Sequence, residues 1–192
     1  GKSTLAPLLA QALQARWLDT DTLLTEHLGM PLSVFFRLKG EAAFRALEAQ
    51  LIQTPELLGP KMARLIQAPE TLPRKSLTVI ACGGGLPIIP GIMPLLKLKG
   101  WVVWLRAPWA ELVARVGRKD TTRPLWNHPH LEQLLETREP IYRLADFSID
   151  TAQYSLPETA SRLTGAYLDY LRGRPRADIA PLPFEVPEPQ AD

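Results

Sequence analysis

Gly1-Lys2-Ser3-Thr4-Leu5-Ala6-Pro7-Leu8-Leu9-Ala10-Gln11-Ala12-Leu13 opens the sequence, and its reading decides the fold. Leu5, Leu8, Leu9, Ala12 and Leu13 recur at helical spacing, which predicts an amphipathic helix from Lys2 to Arg16. Gly-Lys-Ser-Thr directly before a helix has the form of the second half of a P-loop, Gly-x-x-x-x-Gly-Lys-Ser/Thr, where backbone amides and the helix N-terminus hold phosphates. In that reading Lys2 reaches the β- and γ-phosphates and the Ser3 hydroxyl ligates Mg²⁺, with Gly1 and Thr4 in the same nucleotide cradle. The same four residues also occur at ordinary helix starts, so their weight comes from the motifs further along the chain. The first Gly of the motif and the strand before it are absent, and the expectation is a chain cut within the loop.

Working outward, the pattern alternates between short apolar runs and helical segments. Trp17-Leu18 leading to Asp19 reads as a strand end, followed by a helix through Leu28 that Gly29 stops. Ser33 is expected to cap Val34 to Leu38, and after Gly40 a stronger helix runs from Glu41 to about Gln53, burying Phe44, Leu47, Leu51 and Ile52. Residues 54 to 76 carry four Pro and read as a surface excursion with a helical turn or two at Met62 to Ile66. Leu77 to Ala81 and Trp101 to Leu105 read as buried parallel strands. Helices are expected at Pro90 to Lys97, Trp109 to Val116, Leu131 to Leu144 and Pro157 to Leu171, with a short strand at Phe147 to Ile149 and a polar, mobile loop at 117 to 128. This order predicts an α/β domain over residues 1 to 172, a parallel sheet with helices on both faces, and an unstructured Pro-rich tail over 173 to 192.

Composition narrows the function classes. The 192 residues suit one domain, and a net charge of +2 spread along the chain gives no basic surface for nucleic acid. Apolar runs are broken before membrane-spanning length and no signal sequence opens the chain, so a cytoplasmic protein is expected. The single Cys82 makes no internal disulfide and no thiolate metal site.

Asp19-Thr20-Asp21 falls at the carboxyl end of the expected strand, where ligands of such sheets bind. There Asp19 would orient Mg²⁺ through water and Asp21 would accept the proton of an attacking hydroxyl; a plain helix N-cap is the competing reading. Arg45 and Glu48 stand three apart on one helix, offering a fixed guanidinium to a carboxylate, or only a surface ion pair. Gly83-Gly84-Gly85 lets backbone amides approach a ligand, or merely turns the chain.

Taken in order, Gly-Lys-Ser-Thr, Leu18-Asp19-Thr20-Asp21, Phe44-Arg45-x-x-Glu48, Gly83-Gly84-Gly85, Arg123-Pro124-Leu125 and Arg138-Glu139-Pro140-Ile141-Tyr142-Arg143 resemble the shikimate kinases. The resemblance implies a P-loop NTPase-type fold, a monomer, and transfer of the ATP γ-phosphoryl group to the 3-hydroxyl of shikimate with Mg²⁺. It further implies that Arg45 and Arg143 grip the shikimate carboxylate, that Gly83, Gly84 and Gly85 face the ring, and that Asp21 activates the hydroxyl. Glu48 would hold Arg45, Arg123 would close from the lid onto the phosphates as a catalytic residue beside Lys2, and Arg115 and Tyr154 would flank the adenine. Two alternatives stay open: a non-catalytic relic or substrate-binding module, and a P-loop kinase for another small alcohol such as gluconate. Paired arginines argue against an uncharged substrate. Departures from the family pattern are Trp126 in the lid, the nearby His128-Pro129-His130, read as exposed, and the long excursion after the Arg45 helix.

Overall fold

The structure is a computed structural model that describes residues 1–66, 77–116 and 131–173. Helix α1 (Lys2–Leu13) closes with Gln14 in the left-handed region at φ 53°, one turn short of the expected end, and the chain enters β1 (Arg16–Asp19). Helix α2 (Thr20–Leu28) stops at Gly29, also left-handed at φ 63°. Helix α3 (Leu32–Gln53) is bent where Gly40 takes φ 81°, so the expected division at that residue holds. Its first turn is not capped by Ser33: the helix starts at Leu32, with Val34 and Phe35 donating to the Pro31 carbonyl.

After a 3₁₀ turn (Pro55–Leu58) comes α4 (Pro60–Ile66). This described part of the excursion is more than a surface feature, because Leu58, Met62 and Ile66 are buried in the core with Phe44, Leu51 and Ile52. The rest of the order is β2 (Thr78–Ala81), α5 (Ile92–Lys99), β3 (Val103–Arg106), α6 (Trp109–Val116), α7 (Leu131–Tyr142), β4 (Phe147–Asp150) and α8 (Leu156–Leu171).

Among the described residues all strand pairing is parallel, but it forms two pairs where the sequence predicts one sheet. β1 pairs with β2, Arg16 opposite Thr78 through Asp19 opposite Ala81, and β3 pairs with β4, Val103 opposite Phe147 through Arg106 opposite Asp150. Between them runs a cleft of about 2030 Å³ lined by Thr78 to Ala81 on one side and Val103 to Arg106 on the other. Helices cover both faces of the second pair: Val103, Leu105 and Ile149 pack on Leu5 of α1 and Leu163 of α8, while Trp104 turns the other way to Tyr142 of α7. On the first pair, Leu18 and Ile80 pack on the core built by α2, α3, α4 and α5. Among the described residues no helix is long and apolar enough to cross a membrane.

Helix α8 carries the capping box that Ser33 lacks. The Ser155 backbone N–H donates to Glu158 Oε2 at 2.8 Å and the Glu158 N–H donates to Ser155 Oγ at 3.4 Å, so two free donors of the first turn are satisfied together. Ser155→Ala is therefore expected to cost about 1 kcal/mol in urea unfolding, whereas Ser33→Ala stays within about 0.5 kcal/mol. Equal losses at the two serines would contradict this assignment of caps.

Candidate active site

Because β1 and β2 are parallel, their carboxyl ends lie side by side, and the segments that follow each strand fall into one place. Asp19 ends β1 and serves two purposes there. Its Oδ1 accepts the N–H of Asp21 at 2.9 Å and of Thr22 at 3.4 Å, capping α2, while Oδ2 accepts the Ser3 hydroxyl at 2.6 Å. The helix-cap reading thus holds, and it leaves Oδ2 directed at Ser3. Ser3 and the exposed Lys2 lie in the first turn of α1, whose N-terminal residue Gly1 has no side-chain cap among the described residues.

The glycine strap after β2 is tied down at its first residue. Thr20, 1% exposed, accepts the Gly83 N–H at 2.8 Å. A β-carbon on Gly83 would stand 2.7 Å from Glu48 Oε1 and 2.9 Å from Asp21 Oδ1, and one on Gly85 would stand 1.8 Å from Arg45 Nη1. At Gly84 the nearest atom, the Tyr142 hydroxyl, is an ordinary 3.9 Å away. Two of the three glycines are therefore required by close approach, and the strap lies directly on the Asp21, Arg45 and Glu48 side chains.

Arg45 donates through Nη1 to Glu48 and through Nη2 to Glu41 at 2.9 Å. Burial alone would lower the Arg45 pKa, but the charges and hydrogen bonds of Glu48 and Glu41 outweigh it and hold the guanidinium above its usual value. Burial raises the Glu48 carboxyl against the pull of Arg45, and the neighbouring Asp21 charge adds to the rise. The expected surface ion pair is thus a mostly buried one.

Of the two arginines in the Arg138 to Arg143 motif, the structure brings Arg138 to this cluster and leaves Arg143 outside it. Arg138 is buried, lines the cleft, acts electrostatically on Glu48 and Tyr142, and has an Nε without a hydrogen-bond partner among the described residues. Arg143 is exposed and bonded to Glu139 at 2.8 Å on its own helix. The cause is the helix period: residues 138 and 142 share one helix face, and 143 is a further 100° round. Sequence reasoning missed Arg138 and Tyr142, although their i, i+4 spacing was the available signal. Tyr142 donates its hydroxyl to the Gly84 carbonyl at 2.6 Å, tying α7 to the strap.

Tyr154 lines the cleft beyond β4, its ring under the Arg162 guanidinium at 4.0 Å. Arg123, the lid at 117 to 128, the histidines 128 and 130, the excursion beyond Ile66 and the tail beyond Gly173 lie outside the described residues, as does the Arg115 side chain on α6. No group of three or more metal-ligating side chains occurs among the described residues.

Cys82, between strand and strap, has its thiol pushed up to about 12, mainly by burial, with Lys2 opposing and Asp19, Asp21 and Glu48 reinforcing. It is expected to stay protonated and to react with iodoacetamide at pH 8 roughly a hundredfold or more slowly than a free cysteine, until the protein is denatured. Rapid labelling of the folded protein would show that this environment is wrongly described.

Comparison with known proteins agrees with this geometry. A family model described as shikimate kinase matches residues 1–56 and 66–167. Shikimate kinases of Chlorobium chlorochromatii and Methylococcus capsulatus are each 33% identical, the first over 90% of this chain and 87% of its own length, the second over 87% and 86%. Among solved structures, a shikimate kinase from Acinetobacter baumannii in complex with shikimate superposes with a TM-score of 0.70 at 27% identity, covering 88% of each chain. One from Aquifex aeolicus has the same TM-score at 24% identity and supports the fold alone. With the described motifs meeting at one end of the strands and the matches running through nearly the whole chain, this protein belongs to the shikimate kinase family.

Proposed function

We propose that this chain transfers the γ-phosphoryl group of ATP to the 3-hydroxyl of shikimate, giving shikimate 3-phosphate. The observation that carries the reading is the convergence of Arg45, Arg138 and the glycine strap beside Asp21, at the strand ends where Ser3 meets Asp19. Two guanidiniums fit a substrate carboxylate, and the strap offers backbone amides without intruding β-carbons. Gluconate also carries a carboxylate, so the arginines alone do not separate it from shikimate; family membership favours shikimate.

In this mechanism Lys2 and the amides at the start of α1 hold the nucleotide phosphates, with Gly1 and Thr4 beside them. Ser3 and Asp19 present hard oxygen donors in contact with one another, a pair that suits Mg²⁺, which when bound neutralises phosphate charge. The shikimate hydroxyl oxygen attacks the γ-phosphorus, the bond to the β–γ bridging oxygen breaks, ADP leaves, and Asp21 takes the hydroxyl proton. Arg138 takes the carboxylate role once expected of Arg143, with Glu48 steadying Arg45. Arg123, by its motif, supplies positive charge to the transferring group, and Arg115 and Tyr154 flank the base.

We also propose that a further parallel strand belongs between β2 and β3. Both strands present an edge to the cleft, and the buried Trp101 Nε1 at its amino end has no acceptor among the described residues. Such a strand leads its carboxyl end toward the start of α1, where the other half of the phosphate loop would lie.

The decisive experiment joins such a strand and a complete loop to this chain and assays ATP-dependent phosphorylation of shikimate and of gluconate. Turnover is expected with shikimate only. Asp21→Asn should lower kcat by about a hundredfold or more. Arg138→Lys should raise shikimate KM by roughly tenfold or more with ATP KM unchanged, while Arg143→Lys changes little. Equal turnover of gluconate, or a costly Arg143→Lys beside a silent Arg138→Lys, contradicts the proposal.

A further inference from the structure

We infer that Tyr142 is a positioning residue whose hydroxyl locks the carboxylate pocket from two sides, fixing the Gly84 carbonyl and orienting the Arg138 guanidinium. The inference rests on the function proposed above and concerns the same site. A phenol has one proton to donate and lone pairs to accept with, so one hydroxyl can serve both partners. The donated bond goes to the Gly84 oxygen at 2.6 Å. On the accepting side stands Arg138, one helical turn back on the same face of α7, whose charge and donor groups pull the hydroxyl's pKa down while burial raises it overall.

What this fixes is specific to ligand binding. The strap is held at Gly83 by Thr20 and at Gly84 by Tyr142, whereas the Gly84 and Gly85 amides have no hydrogen-bond partner among the described residues. Two anchors on one dipeptide leave its next peptide groups directed and unengaged, the condition for preorganised donors. Arg138 is in the same state: buried, with its Nε unpartnered. The Tyr142 ring is itself kept in place by Trp104, centroid to centroid 5.9 Å. Removing only the oxygen therefore spares the packing and releases both halves of the pocket.

Tyr142→Phe makes that change. In the strand-completed protein, shikimate KM is expected to rise about fivefold or more, while ATP KM and the thermal midpoint stay where they were. Combined with Arg138→Lys, the loss should be smaller than the product of the two single losses, because both substitutions release the same guanidinium. An unchanged shikimate KM, independent multiplication of the two losses, or ATP KM rising in step overturns the inference. Amide exchange of Gly84 and Gly85 in the protein without ligand gives a readout that does not depend on the substrate. It should quicken in Tyr142→Phe, and an unchanged rate overturns the anchor, whereas a parent protein inactive on shikimate would count against the proposed function instead.

Discussion

The ion pair of Arg45 and Glu48 is the constraint on which the rest of the site depends. A carboxylate only 2% exposed is costly to bury, and it is tolerable here because a guanidinium is fixed against it. Once the pair is in place its surroundings have little freedom. Glu48 Oε1 lies under Gly83 and the Arg45 guanidinium under Gly85, so side chains at either position would collide with the pair. The strap is glycine because the charges beneath it are buried and fixed.

Parallel pairing extends that local constraint into a site. Register places Asp19 beside Ala81, so the loop after β1 and the strap after β2 leave the strands at one level. Thr20 and Gly83 then bond across the two loops, and Asp19 reaches back to Ser3 at the start of α1. Groups from the start of α1, the carboxylate pair and the strap are thus gathered by backbone geometry before any ligand enters. Tyr142 adds α7, bringing in Arg138 from a distant part of the chain.

Much of this was legible where the signal is local. The alternation of apolar runs and helical periods located the strands and most helices, and the ordered motifs named Asp19, Asp21, Arg45, Glu48 and the three glycines. Where two local features competed, tertiary context decided. Ser33 and Ser155 both precede helical patterns, but only Ser155 has a Glu three residues later to complete a capping box. Arg138 and Arg143 sit in one motif, and choosing between them needs the face of α7 that packs on the strap, which Tyr142 marks. The core role of Leu58, Met62 and Ile66 was hidden by prolines, which break helices without excluding burial. Which strands pair with which was beyond local reading, since strand order is a tertiary property.

The most direct test of the account compares alanine at the three glycines in the active enzyme. At Gly84 the new methyl meets only the Tyr142 hydroxyl at ordinary contact distance, so shikimate KM should stay within about twofold of the parent. At Gly85 it would occupy the place of the Arg45 guanidinium, which must swing away from Glu48, and shikimate KM should rise by roughly tenfold or more with ATP KM unchanged. Gly83→Ala, against Glu48 and Asp21, should lower turnover as well. If alanine at Gly85 were as harmless as at Gly84, the buried pair would not be what shapes this pocket.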